Sequence, residues 1–235
     1  MHEMKLVTIA GPPSSGKTSV VTRLAECLGG QRLGVVKFDC LTTFDKQRYD
    51  EAGIPVEAGF SGKFCPDHFF VNNIEDGVTW GHDQKLDFLV TESAGLCNRC
   101  SPHIVGVMSV CVVDCLSGVN TPRKIGPMLK FADVVVITKG DIVSQAEREV
   151  FAWSARQANS NAQILFVNGL TGQGAFMLAK LVSKASTVTT LNDMRLRFTM
   201  PAAACSYCTG EMRIGDSFQM GMMRKMAFKH GGHGD

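Results

Sequence analysis

The chain has 235 residues, of which 45% are apolar and 20% are charged, so it can bury a sizeable core and wholesale disorder is excluded. Its 24 basic residues nearly balance 22 acidic ones, and the net charge of +2 gives no field that favours a nucleic acid as partner. No apolar run of about 18 residues indicates a membrane span, and the first residues lack the pattern of a secretory signal, so we expect a cytoplasmic protein. Its nine cysteines are therefore expected to be thiols, metal ligands or buried apolar side chains before disulfides.

Short apolar runs rich in β-branched residues recur along the chain and predict the strands of one sheet. Helical spacing of apolar residues follows the first run and stops at Gly29 and Gly30. Continuous apolar runs without strict alternation are typical of parallel strands that are covered on both faces. The sequence thus predicts an α/β fold, a doubly wound and mostly parallel sheet with helices on both faces. The predicted strands lie at residues 5–10, 32–39, 87–93, 105–115, 132–140 and 162–169.

The loop after the first predicted strand reads GPPSSGKT and matches the phosphate-binding pattern G-x-x-x-x-G-K-[ST]. Gly11 and Gly16 let the backbone curl so that its amides point at phosphate oxygens, Lys17 reaches the β and γ phosphates, and the Thr18 hydroxyl can ligate Mg²⁺. A chance glycine turn is the alternative, and the strand and helix on either side argue against it. The residues predicted to bind the phosphates are Gly11, Ser14, Ser15, Gly16, Lys17, Thr18 and Ser19.

Two carboxylates stand at the ends of later predicted strands. Phosphoryl transfer needs such groups to organise the Mg²⁺ shell and the attacking water. Asp39 ends the second strand and Glu92 ends the third, although acidic residues also occur after strands for solvation alone. We predict Lys17, Asp39 and Glu92 as the catalytic residues, with Thr18 and Asp39 as ligands of Mg²⁺.

The residues TKGD, 138 to 141, end the fifth predicted strand. A K-x-D pattern at this position lets Asp141 accept hydrogen bonds from guanine N1 and the exocyclic amine, while the stem of Lys139 lies over the base. Because adenine has no N1 proton, this arrangement favours GTP over ATP. The usual first residue of the pattern is Asn and here it is Thr138, and a solvated loop is the alternative.

Cysteine and histidine recur at the spacing of metal ligands. Thiolate and imidazole suit Zn²⁺ or Ni²⁺, and the C-x-x-C pair that follows Glu92 adjoins the predicted nucleotide site. Movement of that loop would move its thiols, so hydrolysis and metal affinity could be coupled. Incidental cysteines are the alternative for each pair, and a site that joins the two C-x-x-C pairs in space stays open. The candidate ligands are Cys65, His68, Cys97, Cys100, Cys205 and Cys208.

The composition changes near residue 191, where Met and Arg become frequent and no further strand-helix unit is evident. We predict a P-loop GTPase domain at residues 1–190 and, at residues 191–235, a small Cys- and Met-rich appendage with a C-x-x-C pair. The final HGGHGD residues are expected to form a mobile tail, on which His230 and His233 are at most weak metal ligands.

The order of GPPSSGKTS, VVKFD, GKFCPDH, DFLVTESAG and TKGDIV resembles the HypB and UreG family of nickel-insertion GTPases. These accessory proteins of hydrogenase and urease belong to the SIMIBI class of P-loop NTPases and are related to the CobW group. The resemblance covers residues 4 to 185. It implies GTP/GDP and Mg²⁺ as cofactors, a Cys-His metal site, a homodimer that is switched by nucleotide, and an apo-metalloenzyme client or other accessory proteins as partners.

The resemblance also implies residue roles. Lys17 and Thr18 would bind phosphate and Mg²⁺, Asp39 would be the magnesium-associated aspartate of the first switch, Glu92 would belong to the E-x-x-G segment, and Asp141 would read guanine. The chain departs from the family pattern at two places. One extra residue, Asp67, lies between the proline and the histidine of the C-P-D-H segment, and another, Ser101, lies between Cys100 and Pro102.

The leading interpretation is thus a GTP-hydrolysing metallochaperone for nickel or another divalent metal. One alternative is an ATP-dependent activator with an iron-sulfur cluster at a dimer interface, since paired C-x-x-C cysteines can hold such a cluster. A less favoured alternative is a P-loop small-molecule kinase, because neither an arginine-rich lid nor an acceptor pocket is evident in the sequence.

Overall fold

Seven parallel strands form one sheet in the computed structural model, which describes residues 3–42, 44–199, 205–222 and 224–229. The strand order is β3-β2-β4-β1-β5-β6-β7, and every pairing is parallel. The order reverses on either side of β1, as in a doubly wound sheet. The strands are β1 Lys5–Ala10, β2 Leu33–Asp39, β3 Val56–Phe60, β4 Phe88–Ser93, β5 Met108–Asp114, β6 Val134–Thr138 and β7 Gln163–Phe166.

The predicted α/β fold is confirmed, and all six predicted strands are present with ends that differ by up to three residues. The sequence prediction missed β3, which pairs with β2 at the edge of the sheet. Its residues VEAGF form no apolar run, because an edge strand packs less of its surface than a central one.

Helices cover both faces of the sheet. One face packs on α1 and α7 through side chains such as Val20 and Leu178, and the opposite face packs on α3 and α6 through side chains such as Phe70 and Phe151. Among the described residues, no helix combines the length and the apolar character that a bilayer crossing needs. The helices are α1 Lys17–Glu26, α2 Asp45–Glu51, α3 Pro66–Asp83, α4 Thr121–Lys124, α5 Pro127–Lys130, α6 Gln145–Ala158 and α7 Ala175–Val182.

The C-terminal segment, described at residues 191–199, 205–222 and 224–229, packs against α3 and contributes to the same apolar cluster as Met4. Tyr207 and Leu196 are fully buried in that cluster. Arg197 fastens the start of the segment, since its guanidinium makes two 2.8 Å contacts with the Asp133 carboxylate. The predicted HGGHGD tail lies outside the described residues.

The carboxyl ends of the parallel strands meet at one edge of the sheet, where ligands bind in open α/β sheets. The loop after β1, the end of β2, the end of β4 and the loop after β6 all meet there. This edge therefore gathers segments that lie far apart in the sequence.

Candidate nucleotide and metal sites

Residues 11–18, which we name the phosphate cradle, curl around the start of α1. Gly11 has φ +150, and a Cβ at this position would lie 2.0 Å from the Val112 carbonyl oxygen, so only glycine fits. The Lys17 ammonium donates to the carbonyl oxygens of Gly11 and Pro12, at 2.9 Å each. The buried Ser15 hydroxyl has no hydrogen-bond partner among the described residues. Backbone amides, a buried ammonium and an unpartnered hydroxyl suit a polyphosphate.

Glu92 is the centre of a buried polar network beside the cradle. Its side chain is 1% exposed and accepts hydrogen bonds from the Thr18 hydroxyl at 3.2 Å, from the Lys37 ammonium at 2.5 Å and from the Tyr49 hydroxyl. Burial of a carboxylate is costly unless it is paired and hydrogen-bonded, and Glu92 meets both conditions. Its position is thus fixed from three directions.

Lys37 and Tyr49 were not identified from the sequence. Burial acts to lower the pKa of Lys37, but Glu92 and Asp45 together raise it above its ordinary value, so the ammonium stays charged. Burial and the charge of Glu92 raise the pKa of Tyr49, which keeps its hydroxyl a donor. A lysine inside the apolar run of β2 was the signal that could have revealed this network.

The cradle opens into a cavity of about 460 Å³. Asp39 lines it, with one carboxylate oxygen 3.9 Å from the Lys37 ammonium and the other accepting from the Cys40 amide at 2.8 Å. Burial lowers the pKa of Lys17, which a bound polyanion would offset. The hydroxyl of Thr18 and the carboxylates of Asp39 and Glu92 are hard oxygen donors on one cavity wall, and this donor set fits Mg²⁺.

The loop after β6 connects the cradle to a second cavity. The Thr138 hydroxyl donates to the Ser15 carbonyl oxygen at 2.6 Å, and the Lys139 ammonium donates to the Ser14 carbonyl oxygen at 2.8 Å. Thr138 therefore fastens this loop to the cradle although it replaces the usual Asn. Asp141, three residues after Thr138, lines a cavity of about 210 Å³ together with Phe166.

Gly95 links the cradle to the cysteines that follow it. Its φ is +67, and a Cβ would lie 1.7 Å from the Gly11 carbonyl oxygen, so the loop after β4 rests directly on the cradle backbone. Two residues later comes Cys97, whose sulfur accepts from the Arg99 amide at 3.4 Å and lies 3.5 Å from the Cys100 sulfur. Both thiols therefore belong to a loop that is in direct contact with the cradle backbone.

Cys65, Asp67 and Cys100 form the first cysteine group, in which one ligand atom from each lies within 4.8 Å of the others. Cys65 is the N-cap of α3, and the hydrogen bond from Cys100 lowers the pKa of the Cys65 thiol. Burial raises the pKa of Asp67 to about 6, against a 2.5 Å hydrogen bond from Ser93. The second Asp67 oxygen is buried without a hydrogen-bond partner among the described residues. Two cysteine sulfurs and an unpartnered carboxylate oxygen suit a borderline divalent ion.

His68, Cys205 and Cys208 form the second cysteine group, again with ligand atoms within 4.8 Å of one another. The structure thus separates the two members of the C-P-D-H segment, since Cys65 lies in the first group and His68 in the second. It brings Cys205 and Cys208 to His68, and no group among the described residues contains both C-x-x-C pairs. The sequence prediction did not include Asp67, although its place between Cys65 and His68 was visible.

The chain has curated relatives along nearly its whole length. It is 46% identical over 225 residues to an uncharacterized protein of Methanocaldococcus jannaschii, a match that covers 95% of this chain and 96% of that protein. It is 28% identical to the urease accessory protein UreG of Haloquadratum walsbyi over 78% of this chain and 97% of that one. Hydrogenase maturation factor HypB of Azotobacter vinelandii is also 28% identical, over 72% of this chain and 56% of its own length.

Solved structures share the fold at lower identity. HypB of Archaeoglobus fulgidus matches with a TM-score of 0.61 and 24% identity, over 77% of this chain and 89% of that one. HypB of Helicobacter pylori, in complex with nickel, matches with a TM-score of 0.63 and 20% identity, over 79% and 90%. The family model for the CobW/HypB/UreG nucleotide-binding domain matches residues 5–166, which include the cradle, Glu92 and Asp141. The resemblance predicted from the motifs is confirmed: the chain belongs to the CobW/HypB/UreG family of P-loop nucleotide-binding proteins.

Proposed function

We propose that the chain is a GTP hydrolase that controls a transition-metal ion held by the first cysteine group and delivers it to an apo-metalloenzyme. The observation that carries this proposal is the contact of Gly95 with the cradle, directly before Cys97 and Cys100. Through this contact, a shift of the cradle on nucleotide binding or hydrolysis would displace the loop that carries the thiols. The relatives named for hydrogenase maturation and for urease support metalloenzyme maturation as the purpose.

Hydrolysis would proceed by attack of water on the γ-phosphorus. A new oxygen-phosphorus bond forms, the bond to the oxygen that bridges the β and γ phosphates breaks, and GDP and phosphate leave. Mg²⁺, when held by Thr18 and Asp39, supplies positive charge to the phosphate oxygens. Lys17 neutralises charge that develops on the same oxygens, and Glu92, fixed by Lys37 and Tyr49, orders the water.

Guanine would occupy the cavity beside Asp141. The carboxylate is exposed along the wall of that cavity, where it can accept from N1 and from the exocyclic amine of guanine. Lys139, two residues before Asp141, lines the cradle cavity and bonds to Ser14, and its stem would cover one face of the base.

The metal is the cargo in this proposal. Cys65, Asp67 and Cys100 would bind it, with the Cys97 sulfur 3.5 Å from that of Cys100. Nickel and zinc both suit this donor set. A second copy of the chain would dock beside the nucleotide cavity, which exposed Leu96 lines; Leu41 and Phe44, in the segment after Asp39, are also exposed.

Phosphate release with GTP and with ATP tests the nucleotide part. We expect GTP to be hydrolysed in preference to ATP by about tenfold or more, and Asp141→Ala to remove that preference while ATP hydrolysis persists. Equal rates with both nucleotides in the parental chain would contradict the assignment of guanine. Glu149→Ala, which removes an exposed carboxylate of α6, is the control.

Metal analysis of anaerobically purified protein tests the cargo part. The Cys65→Ser, Cys100→Ser variant should lose the ion of the first group, while the Cys27→Ser, Cys115→Ser control should keep it. Unchanged metal content in the first variant would remove the metal-carrier function and leave a nucleotide-binding domain alone.

A further inference from the structure

The family model ends at residue 166, so it assigns nothing to the thiols of the C-terminal segment. Cys205 and Cys208 are each 7% exposed and His68 is 8% exposed. Their nearest ligand atoms are 3.6 Å apart between the two sulfurs and 3.3 Å apart between the Cys208 sulfur and His68 Nε2. A tetrahedral ion with sulfur at ~2.3 Å and nitrogen at ~2.0 Å needs sulfur-sulfur and sulfur-nitrogen spacings of about 3.8 and 3.5 Å.

A small cavity of about 20 Å³ adjoins this group and is lined by His68, Asn72 and Cys205. It has room for one water or one ligand atom. The side-chain oxygen of Asn72 is buried without a hydrogen-bond partner among the described residues, and it lies one helical turn after His68 on the same face of α3. An unpartnered buried oxygen beside three soft ligands is what a fourth coordination position requires.

The backbone holds the two sulfurs in place from the C-terminal side. Tyr207, between them, is fully buried in the apolar cluster, and Cys205 pairs with Gly221 in an antiparallel bridge. Asn73 of α3 donates to the Arg224 carbonyl oxygen at 3.0 Å and accepts from the Met226 amide at 2.6 Å. The segment that carries the thiols is therefore fastened to the helix that carries His68.

We propose that His68, Cys205 and Cys208 form a second transition-metal site, separate from the first cysteine group, with Asn72 or a water bonded to it in the fourth position. The ion is divalent and borderline in softness, such as Zn²⁺. Binding replaces the two thiol protons by the ion and releases both protons to water, so the two thiolates balance the charge of the cation in this buried place. This inference goes beyond the proposed function, since it requires neither GTP nor a client.

Cobalt titration of the anaerobically purified full chain tests the site, because thiolate-to-cobalt absorption reports each sulfur ligand. We expect two Co²⁺ per parental chain, one in the Cys205→Ser, Cys208→Ser variant and one in the Cys65→Ser, Cys100→Ser variant. The Cys27→Ser, Cys115→Ser control should bind two. Two Co²⁺ in the Cys205→Ser, Cys208→Ser variant would overturn the proposal, as would acid-labile sulfide, which indicates an iron-sulfur cluster, or a disulfide between Cys205 and Cys208 in the parental chain.

Two further variants keep both thiols, so that a loss of metal binding can be distinguished from misfolding of the C-terminal segment. Asn72→Leu fills the cavity and should weaken Co²⁺ binding at this site about tenfold, while Asn72→Asp, which supplies a stronger oxygen ligand, should retain it. Equal affinity in the leucine variant and the parental chain would refute the fourth position. Two bound ions in a chain that hydrolyses no GTP would contradict the proposed function alone. Hydrolysis in a chain whose single ion is lost in the Cys65→Ser, Cys100→Ser variant would contradict the second site alone.

Discussion

All residues of the phosphate cradle come from one continuous segment, whereas the second cysteine group joins His68 to Cys208, 140 positions later in the sequence. The cradle holds its geometry through its own backbone, the start of α1 and the glycines that let it curl. The cysteine groups hold theirs through packing of the loop after β4 and of the C-terminal segment on α3. The cradle therefore depends on local backbone geometry, whereas both cysteine groups depend on the packing of distant segments, and only the first group includes a residue of the loop that contacts the cradle at Gly95.

Replacement of Lys17 by alanine breaks the cradle and leaves the cysteine groups intact. We expect GTP hydrolysis to fall by about 10²–10³-fold, because the buried ammonium is a preorganised partner of the transferred phosphate. Phosphate release measures the rate, and metal analysis should show parental content. Lys184→Ala, which removes an exposed lysine, is the control. A Lys17→Ala protein that hydrolyses GTP at the parental rate would contradict the proposed catalysis.

Gly95→Ala disrupts the contact between the cradle and the loop after β4 that carries Cys97 and Cys100. The new Cβ would fall 1.7 Å from the Gly11 carbonyl oxygen, so the cradle must shift. We expect GTP affinity to fall roughly a hundredfold, for an overpacking cost of about 3 kcal/mol, as measured by calorimetric titration.

Gly106→Ala is the matched control for this prediction. Gly106 has φ +80, close to the φ of Gly95, but a Cβ there would have no neighbour within 4 Å. Both variants place alanine at a left-handed φ, and only Gly95→Ala adds the clash with Gly11. Equal GTP affinities in the two variants would show that the contact with Gly11 has no role.

His103, in the loop after β4, is hydrogen-bonded to the Thr8 hydroxyl of β1 at 3.0 Å and to the Met128 carbonyl oxygen of α5 at 2.8 Å. Burial lowers the pKa of His103 from 6.5 to about 4. Below pH 6.5 the unfolded chain therefore binds a proton at this histidine, whereas the folded chain does not until the pH approaches 4. Stability from this group is full above pH 6.5 and is lost as the pH falls towards 4. Between pH 7 and pH 5 the loss should be about 2 kcal/mol.

Urea unfolding of the parental chain and of His103→Gln at both pH values measures this loss. Glutamine can keep a donor and an acceptor at the site but does not titrate, so its stability should fall less on acidification. Parallel declines in the two proteins would exclude His103 as the source.

Tyr49→Phe loosens Glu92 without change to the cradle or to the cysteines. We expect the rate of GTP hydrolysis to fall about tenfold, equivalent to ~1.4 kcal/mol, because one of three donors to the carboxylate is lost. Tyr207→Phe is the control, since its hydroxyl lies 3.5 Å from its nearest partner and far along the chain from Glu92. A parental rate in Tyr49→Phe would remove Tyr49 from the water-ordering network.

The sequence was sufficient for features that depend on local pattern. The cradle, six of the seven strands and the acidic residues at the ends of β2 and β4 follow from motif spacing and apolar runs. Strand β3 was missed because Glu57 and Gly59 interrupt its apolar character, and this edge strand gains its place by pairing with β2. Lys37 was missed as a site residue because its partners, Asp45 and Glu92, are separate in sequence.

The sequence was insufficient for the division of the thiols. Cys65 and His68 are three residues apart, yet they face different partners, because Cys65 is the N-cap of α3 and has an extended backbone, so it does not share a helical face with His68. Nothing in the periodicity near residue 205 shows that Tyr207 inserts into the apolar cluster and carries Cys205 and Cys208 to His68. Only the packing of the C-terminal segment reveals that arrangement.

Coupling between nucleotide and metal is measured most directly by the Zn²⁺ dissociation constant, determined with a competing chelator in the presence of Mg²⁺ with GDP or with a non-hydrolysable GTP analogue. We expect the two nucleotide states to differ by about fivefold or more at the site of Cys65, Asp67 and Cys100, and the difference to vanish in the Cys65→Ser, Cys100→Ser variant. Identical Zn²⁺ dissociation constants in the two nucleotide states of the parental chain would contradict the proposed link between the cradle and the thiols.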